Sequence, residues 1–202
     1  MCQTIDYTIF LKLDYDDFTS GEVIDWAQDN KLVYGLNGPI HLCLDFSQTK
    51  IYAINRDIER ARTKWDILVN MSDDMSFIKK GFDQRIISAF AGDYDKFLHY
   101  PDQHTGQAIC TMSIIGKDYY ARDGYVYHPD YQSLWCDNEA TEVAINRGKY
   151  YWINENIYEH RHPAWGFGKS DDQLKKSESH FYIDQDTFNK RKSLGFPKES
   201  IF

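Results

Sequence analysis

Apolar positions along this chain recur at two spacings, and the switches between them mark out its elements. In "YTIFLKL", Tyr7 to Leu13, β-branched and aromatic residues crowd a short run that ends in the acidic "DYDD", a strand leading into an acidic loop. "TSGEVIDWAQDN" then offers Thr19 or Ser20 as an N-cap, Glu22 in the first turn and Val23, Trp26 and Ala27 on one face, which predicts a short helix. "KLVYGL" reads as a second strand. "SQTKIYAINRDIERARTK" is a clear helix, with Ile51, Ile54 and Ile58 on one face and charges opposite. "WDILVNM", from Trp65, is the third strand.

Strands alternating with helices predict a parallel, doubly wound α/β sheet whose loops at the carboxyl ends of strands bind ligands. Both acidic clusters, "DYDD" and "SDD", fall at such ends. "FDQRIISAFAG" continues as a helix, "KFLHYPD" as a strand, and "AICTMSII" as an apolar strand flowing into "GKDYYARDG". "DNEATEVAINRGKY" reads as a helix with Asp137 and Glu139 in its first turn and Gly148 as its C-cap. A single strand, "YYWINENIYEH", follows. From about Trp165 the chain turns polar and Lys-rich; "GFGKSDDQLKKSES" reads as a mobile loop and "DQDTFNKRKSLGF" as one surface helix. The division is a body over residues 1–164 and a polar C-terminal extension over 165–202.

Composition narrows the partners. With 202 residues and 42% hydrophobic content, the chain can bury one sizeable core, and one domain is the default. A net charge of −8 argues against a phosphate backbone, so nucleic acid is excluded as the main partner. Cys2, Cys43, Cys110 and Cys136 are widely separated and read as free thiols in a reducing compartment. No apolar run approaches the roughly 20 residues that span a bilayer, and no signal peptide is visible, so the expectation is a soluble cytoplasmic protein without a membrane span.

The sharpest local puzzle is "WDILVNMSDDM", an apolar run that ends on two adjacent carboxylates. Like charges at the rim of a core cost stability unless a cation or hydrogen-bond donors offset them. A hydrogen-bonded turn would explain the pair blandly. A hard divalent ion, Mn²⁺ or Mg²⁺, held by one or two carboxylates plus phosphate oxygens would explain it chemically. In "YEHRHP", His160 and His162 stand two apart at a strand end, so both face one side and either could complete such a site. In "LWCDNEATE", an acid opening a helix could serve as a general base or merely cap the helix dipole.

Together these segments resemble the GT-A glycosyltransferases, particularly those similar to family 2, from about Thr8 to His162. The resemblance rests on "TKIYAIN", where Lys50, Ala53 and Asn55 match a segment ahead of the acidic motif, on the paired Asp73 and Asp74, on the acid-led helix ending in Gly, and on the strand-end His. It implies a GT-A, nucleotide-diphospho-sugar transferase-like fold: a Rossmann-like mixed α/β sheet flanked by helices. It implies a nucleotide-sugar donor, a carbohydrate or other hydroxyl acceptor, and inverting transfer. Asp74 would ligate the metal, Asp73 the metal or the donor's ribose, and His160 or His162 would join them. Asp14, Asp16 and Asp17, with Lys50 and Asn55, would hold the nucleotide. Asp137 matches the catalytic base; Cys136 replaces the acid usual before it, which makes Glu139 a rival. Tyr119, Tyr120, Tyr125 and Trp135 would line the acceptor pocket, with Tyr120 and Trp135 the leading pair.

Only "MCQTID" precedes the first strand, so the family's usual first strand is expected to be missing. A neighbouring strand left unpaired would favour self-association. The alternative from another class is a non-catalytic sugar- or nucleotide-binding remnant of the same fold. Nucleotidyl transfer and a metal-dependent hydrolase using His160, His162 and Asp73 rank below it.

Overall fold

The computed structural model describes residues 7–15, 20–29, 40–60, 64–167 and 172–202. Two strand and helix units come first: β1 (Ile9–Asp14), α1 (Ser20–Asp29), β2 (Ile40–Asp45) and α2 (Lys50–Arg60). β3 (Ile67–Val69), β4 (Met75–Phe77), α3 (Phe82–Phe90), β5 (Phe97–His99), β6 (Ile114–Gly116) and α4 (Lys117–Tyr120) follow. α5 (Cys136–Asn146), β7 (Tyr150–Trp152), β8 (Tyr158–His160), a 3₁₀ turn at Pro163–Trp165, α6 (Asp172–Ser179) and α7 (Phe181–Ser193) complete the order.

β1 and β2 are parallel, with Leu11 beside Leu42 and Asp14 beside Asp45. β2 was not anticipated; the expected strand "KLVYGL" lies outside the described residues, as do Asp16 and Asp17. The central sheet runs β3-β6-β5-β7 and is mixed rather than wholly parallel. β6 lies antiparallel to both β3 and β5, and β5 is parallel to β7. The reason is local: no helix separates β5 from β6, so the chain turns back and pairs antiparallel, whereas α5 lies on the way to β7 and supports a parallel neighbour. A third pair, β4 with β8, is antiparallel and sets Met75 opposite His160. The expected single strand "YYWINENIYEH" is therefore two strands, β7 in the central sheet and β8 against β4.

Alternation along the strands divides the interior into two layers. Phe97 and Ile115 pack on one face with Ile51 and Ile54 of α2, Ala144 of α5 and Phe188 of α7. Leu98 and Ile114 face the other way, toward Ile86 and Phe90 of α3 and Tyr158 of β8. The architecture is thus mixed α/β with helices on both faces. Among the described glycines, Gly116 least accepts a side chain, because a Cβ there would collide with the backbone carbonyl of Tyr94.

The C-terminal segment differs from its polar appearance. Residues 172–179, expected within a loop, form α6, so the segment carries two helices. α7 contributes Phe188 to the first core layer and buries Asp184 and Arg191 completely.

Candidate functional site

The "SDD" turn sits where β3 gives way to β4. The Ser72 carbonyl accepts the Met75 N–H at 3.1 Å, which tightens the turn and separates its two acids. Asp73 is exposed, while Asp74 is turned inward. The β4–β8 ladder then brings in the strand-end histidine: the Arg161 N–H donates to the Asp74 carbonyl at 2.8 Å, and Asp74 Oδ2 meets His160 Nε2 at 3.1 Å. Ser72 Oγ donates to the other carboxylate oxygen. Burial alone would raise the Asp74 pKa, but these two hydrogen bonds and the charges of His160 and His162 pull it down to about 2. Two adjacent acids are tolerated because one is solvated and the other is fully partnered.

His160 is 7% exposed, and its second nitrogen, Nδ1, is buried with no hydrogen-bond partner among the described residues. His162 accepts the Ala164 N–H at Nδ1, 3.2 Å, and so caps the 3₁₀ turn. Burial holds its pKa below the usual imidazole range, favouring the neutral form that ligates metals. Trp165 ties the cluster together, with ring centroids 5.0 Å from His160 and 5.6 Å from His162, and His104 stacked on it at 4.1 Å.

Asp137 opens α5 after Trp135, a non-glycine residue at φ 62°. Its carboxylate accepts the Asn138 N–H at 2.9 Å. Burial raises its pKa, while the charges of Lys50 and His160 reach it and act in the opposite sense. Lys50, exposed at the start of α2, also acts on His162, as does Glu178 of α6. Lys50, Asp74, Asp137, His160 and His162 therefore form one electrostatic neighbourhood, assembled from α2, the β3–β4 turn, α5 and the end of β8.

No protein-family model and no curated protein matches this chain.

Other expected site residues have structural employment. Glu139, the rival base, is 4% exposed; its two oxygens accept from Arg191 Nε and Nη2 at 2.8 and 2.9 Å, and Tyr131 donates to it at 2.8 Å. A carboxylate so buried and so engaged serves to tie α5 to α7. Asn55 does not reach outward to a nucleotide: its amide donates to the Tyr127 carbonyl at 2.7 Å and accepts the Val126 N–H at 3.0 Å, pinning the 125–127 segment to α2. Trp135 is packed between Phe181 and Phe188 of α7, with ring centroids at 5.6 and 5.3 Å. Tyr120 meets Trp65 edge-on at 5.3 Å, Tyr119 is buried beside Phe97, and Tyr125 packs on His128.

The structure also brings forward residues that the sequence reading passed over. Asp45 ends β2 beside Asp14 and is ion-paired with Arg56 at 3.0 Å. Tyr15 and Phe46 follow these acids, are 59% and 67% exposed, and lie 5.3 Å apart by ring centroid. The signal was present as a repeat, "LKLDY" and "LCLDF", whose members fall in register across the two strands.

Among the described residues, no three His, Cys, Asp or Glu side chains are placed to hold a metal ion together. Asp74 and His160, with His162 beside them, do fit an ion bound through one carboxylate and completed by phosphate oxygens of its ligand, the usual arrangement for Mg²⁺ in nucleotide sites. An all-protein cage does not fit.

Proposed function

We propose that this chain is a metal-dependent glycosyltransferase with a GT-A type fold, transferring a sugar from a nucleoside diphosphate to a hydroxyl acceptor with inversion. The observation that carries the reading is the meeting of Asp74 with His160, with Asp137 in the same charged neighbourhood. A carboxylate able to ligate a cation, an imidazole and a carboxyl of raised proton affinity are the set such a displacement uses. β1, α1, β2 and α2 add support: two strand–helix units precede the acidic turn, as strand–helix alternation ahead of a nucleotide site requires.

In this mechanism the nucleotide lies across the carboxyl ends of β1 and β2. Asp14 and Asp45 accept from ribose hydroxyls, and the exposed Tyr15 and Phe46 rings offer faces to the base. Asp74, with His160, would hold Mn²⁺ or Mg²⁺ at the diphosphate end, and Asp73 would reach the ribose or the ion from solvent. The bound ion supplies neutralisation of the charge on the departing diphosphate. Asp137 accepts the proton of the acceptor hydroxyl as that oxygen attacks the anomeric carbon. Its raised proton affinity strengthens it as a base, and Lys50 steadies the ionised form it must hold before the step.

The test is titration with a panel of nucleotide sugars, with and without Mn²⁺, followed by turnover measurements on the wild type and Asp137→Asn. Mn²⁺-dependent binding with turnover that collapses in D137N supports the reading. Binding without hydrolysis or transfer identifies a non-catalytic nucleotide-sugar-binding protein. No binding of any nucleotide sugar removes both.

A further inference from the structure

The segment from Asp130 to Trp135 leads into the Asp137 helix without regular secondary structure of its own, apart from turns. A segment of that kind needs its backbone groups satisfied from elsewhere. Here one carboxylate does most of it. Asp184 of α7, completely buried, accepts the N–H of Gln132 at 2.9 Å, of Ser133 at 2.8 Å and of Leu134 at 2.7 Å. Three successive amides turned toward one anion form a nest, a shape the backbone holds only while the anion is there. The Gln132 carbonyl meanwhile accepts the Ile51 N–H at 3.4 Å, which links the same loop to the first turn of α2, next to Lys50.

A second clamp lies on the far side of Asp137. Arg191, also completely buried, grips both oxygens of Glu139, two residues beyond Asp137 in α5. Its remaining donors go to Asp130 at 3.1 Å and to the carbonyls of Pro197 at 2.6 Å and Glu199 at 3.4 Å. Between the clamps, Trp135 is held at φ 62° with its indole against Phe181 and Phe188. A bulky residue in that region is strained and persists only where its surroundings dictate it.

We propose that α7 is the positioning element of the site: Asp184 and Arg191, through the loop and through Glu139, set where the Asp137 carboxyl stands relative to Lys50 and His160. Neither is a catalytic residue, since neither faces the charged neighbourhood itself. The proposal rests on the assignment of Asp137 as the base, but the placement of its carboxyl can be read without any turnover.

The experiment uses the full chain with ¹³C-labelled aspartate carboxyls, comparing wild type, Asp184→Asn and, as a control on the same helix, the exposed Asp186→Asn. The side-chain amide of D184N turns donors toward the loop amides and removes the charge that gathers them. The Asp137 carboxyl answers to burial, to the Asn138 N–H and to the charges of Lys50 and His160, so displacing it changes its titration. The expected result is a shifted Asp137 titration in folded D184N and an unshifted one in D186N. With nucleotide sugar, D184N should lose about 100-fold in kcat, the scale of a small misplacement, while Mn²⁺-dependent nucleoside diphosphate binding is unchanged. If D184N does not fold, Asp184→Glu, which keeps the charge but moves the acceptor by one methylene, takes its place. A folded variant whose Asp137 titration matches the wild type overturns the proposal. A wild type without turnover would sink the transferase reading alone, with the titration still deciding the role of α7.

Discussion

Asp74 and His160 are 86 residues apart along the chain and 3.1 Å apart in the fold. Their contact resolves the electrostatic puzzle of a strand ending on two acids, because Asp74 is neutralised from within the protein while Asp73 keeps its water. It also places an imidazole and a carboxylate at one point, where a diphosphate with its cation could dock. Asp74→Ala should abolish Mn²⁺-dependent binding of nucleoside diphosphates, and Asp73→Ala should weaken it without abolishing it. Isothermal titration against a diphosphate panel checks both; equal affinities in wild type and D74A would count against the metal assignment.

The same contact carries an acid-stability signature. The Asp74 pKa is depressed from 3.8 to about 2, so its contribution to stability is fully present above pH 3.8 and is lost as pH falls through about 2. Urea denaturation of wild type and Asp74→Asn should differ most above pH 3.8, and the difference should shrink steadily toward pH 2. A gap independent of pH over that interval would mean that the carboxylate's charge does not stabilise the fold.

Arg191 and Glu139 form a buried ion pair, and removing one partner strands the other charge. Arg191→Met should cost about 3–5 kcal/mol. Glu139→Gln should cost less, since the amide oxygen still accepts, and the double variant should be more stable than the sum of the two losses implies. A double-mutant cycle by urea denaturation measures this, with additive losses as the contrary result.

Asn55 provides a cleaner separation of structure from function. Its amide clamps the Val126 and Tyr127 backbone to α2. Asn55→Ala should therefore lower stability by about 1–3 kcal/mol, the cost of orphaned buried groups, and leave diphosphate affinity intact. A variant of normal stability with lost affinity would return Asn55 to the nucleotide site.

The sequence was most informative where periodicity and chemistry coincided. The isoleucine stripe of α2 and the acid-led α5 ending near Gly148 could be read directly, because a 3.6-residue stripe and a terminating glycine are local properties. "SDD" and "YEHRHP" could be singled out by their charged and imidazole side chains, and the ladder that joins them could not, since strand pairing over 86 residues leaves no local trace. Glu139 and Asn55 misled for a related reason: a polar residue on a helix looks the same whether it faces a ligand or a buried partner. The long strand expected at "YYWINENIYEH" failed because aromatic and β-branched residues sit at both ends of the stretch, and only the polar "NEN" between them marks where the chain leaves one sheet for another. The tail misled because α7 buries charge as well as hydrocarbon, and Asp184 and Arg191 look like surface residues until their partners are seen.

β4 and β8 meet over only three residue pairs, Met75 with His160, Ser76 with Glu159 and Phe77 with Tyr158. Everything from α3 through β7 lies in the chain between them, so the entropy of closing that long interval must be met before the clasp can shut. The central sheet and its helices can assemble first; the Asp74–His160 contact is the last seam to be sewn and the first to part. A short ladder at the end of a long detour gives the protein a local opening coordinate of its own, through which the amides of β4 and β8 should exchange with solvent well before those of β5 and β6.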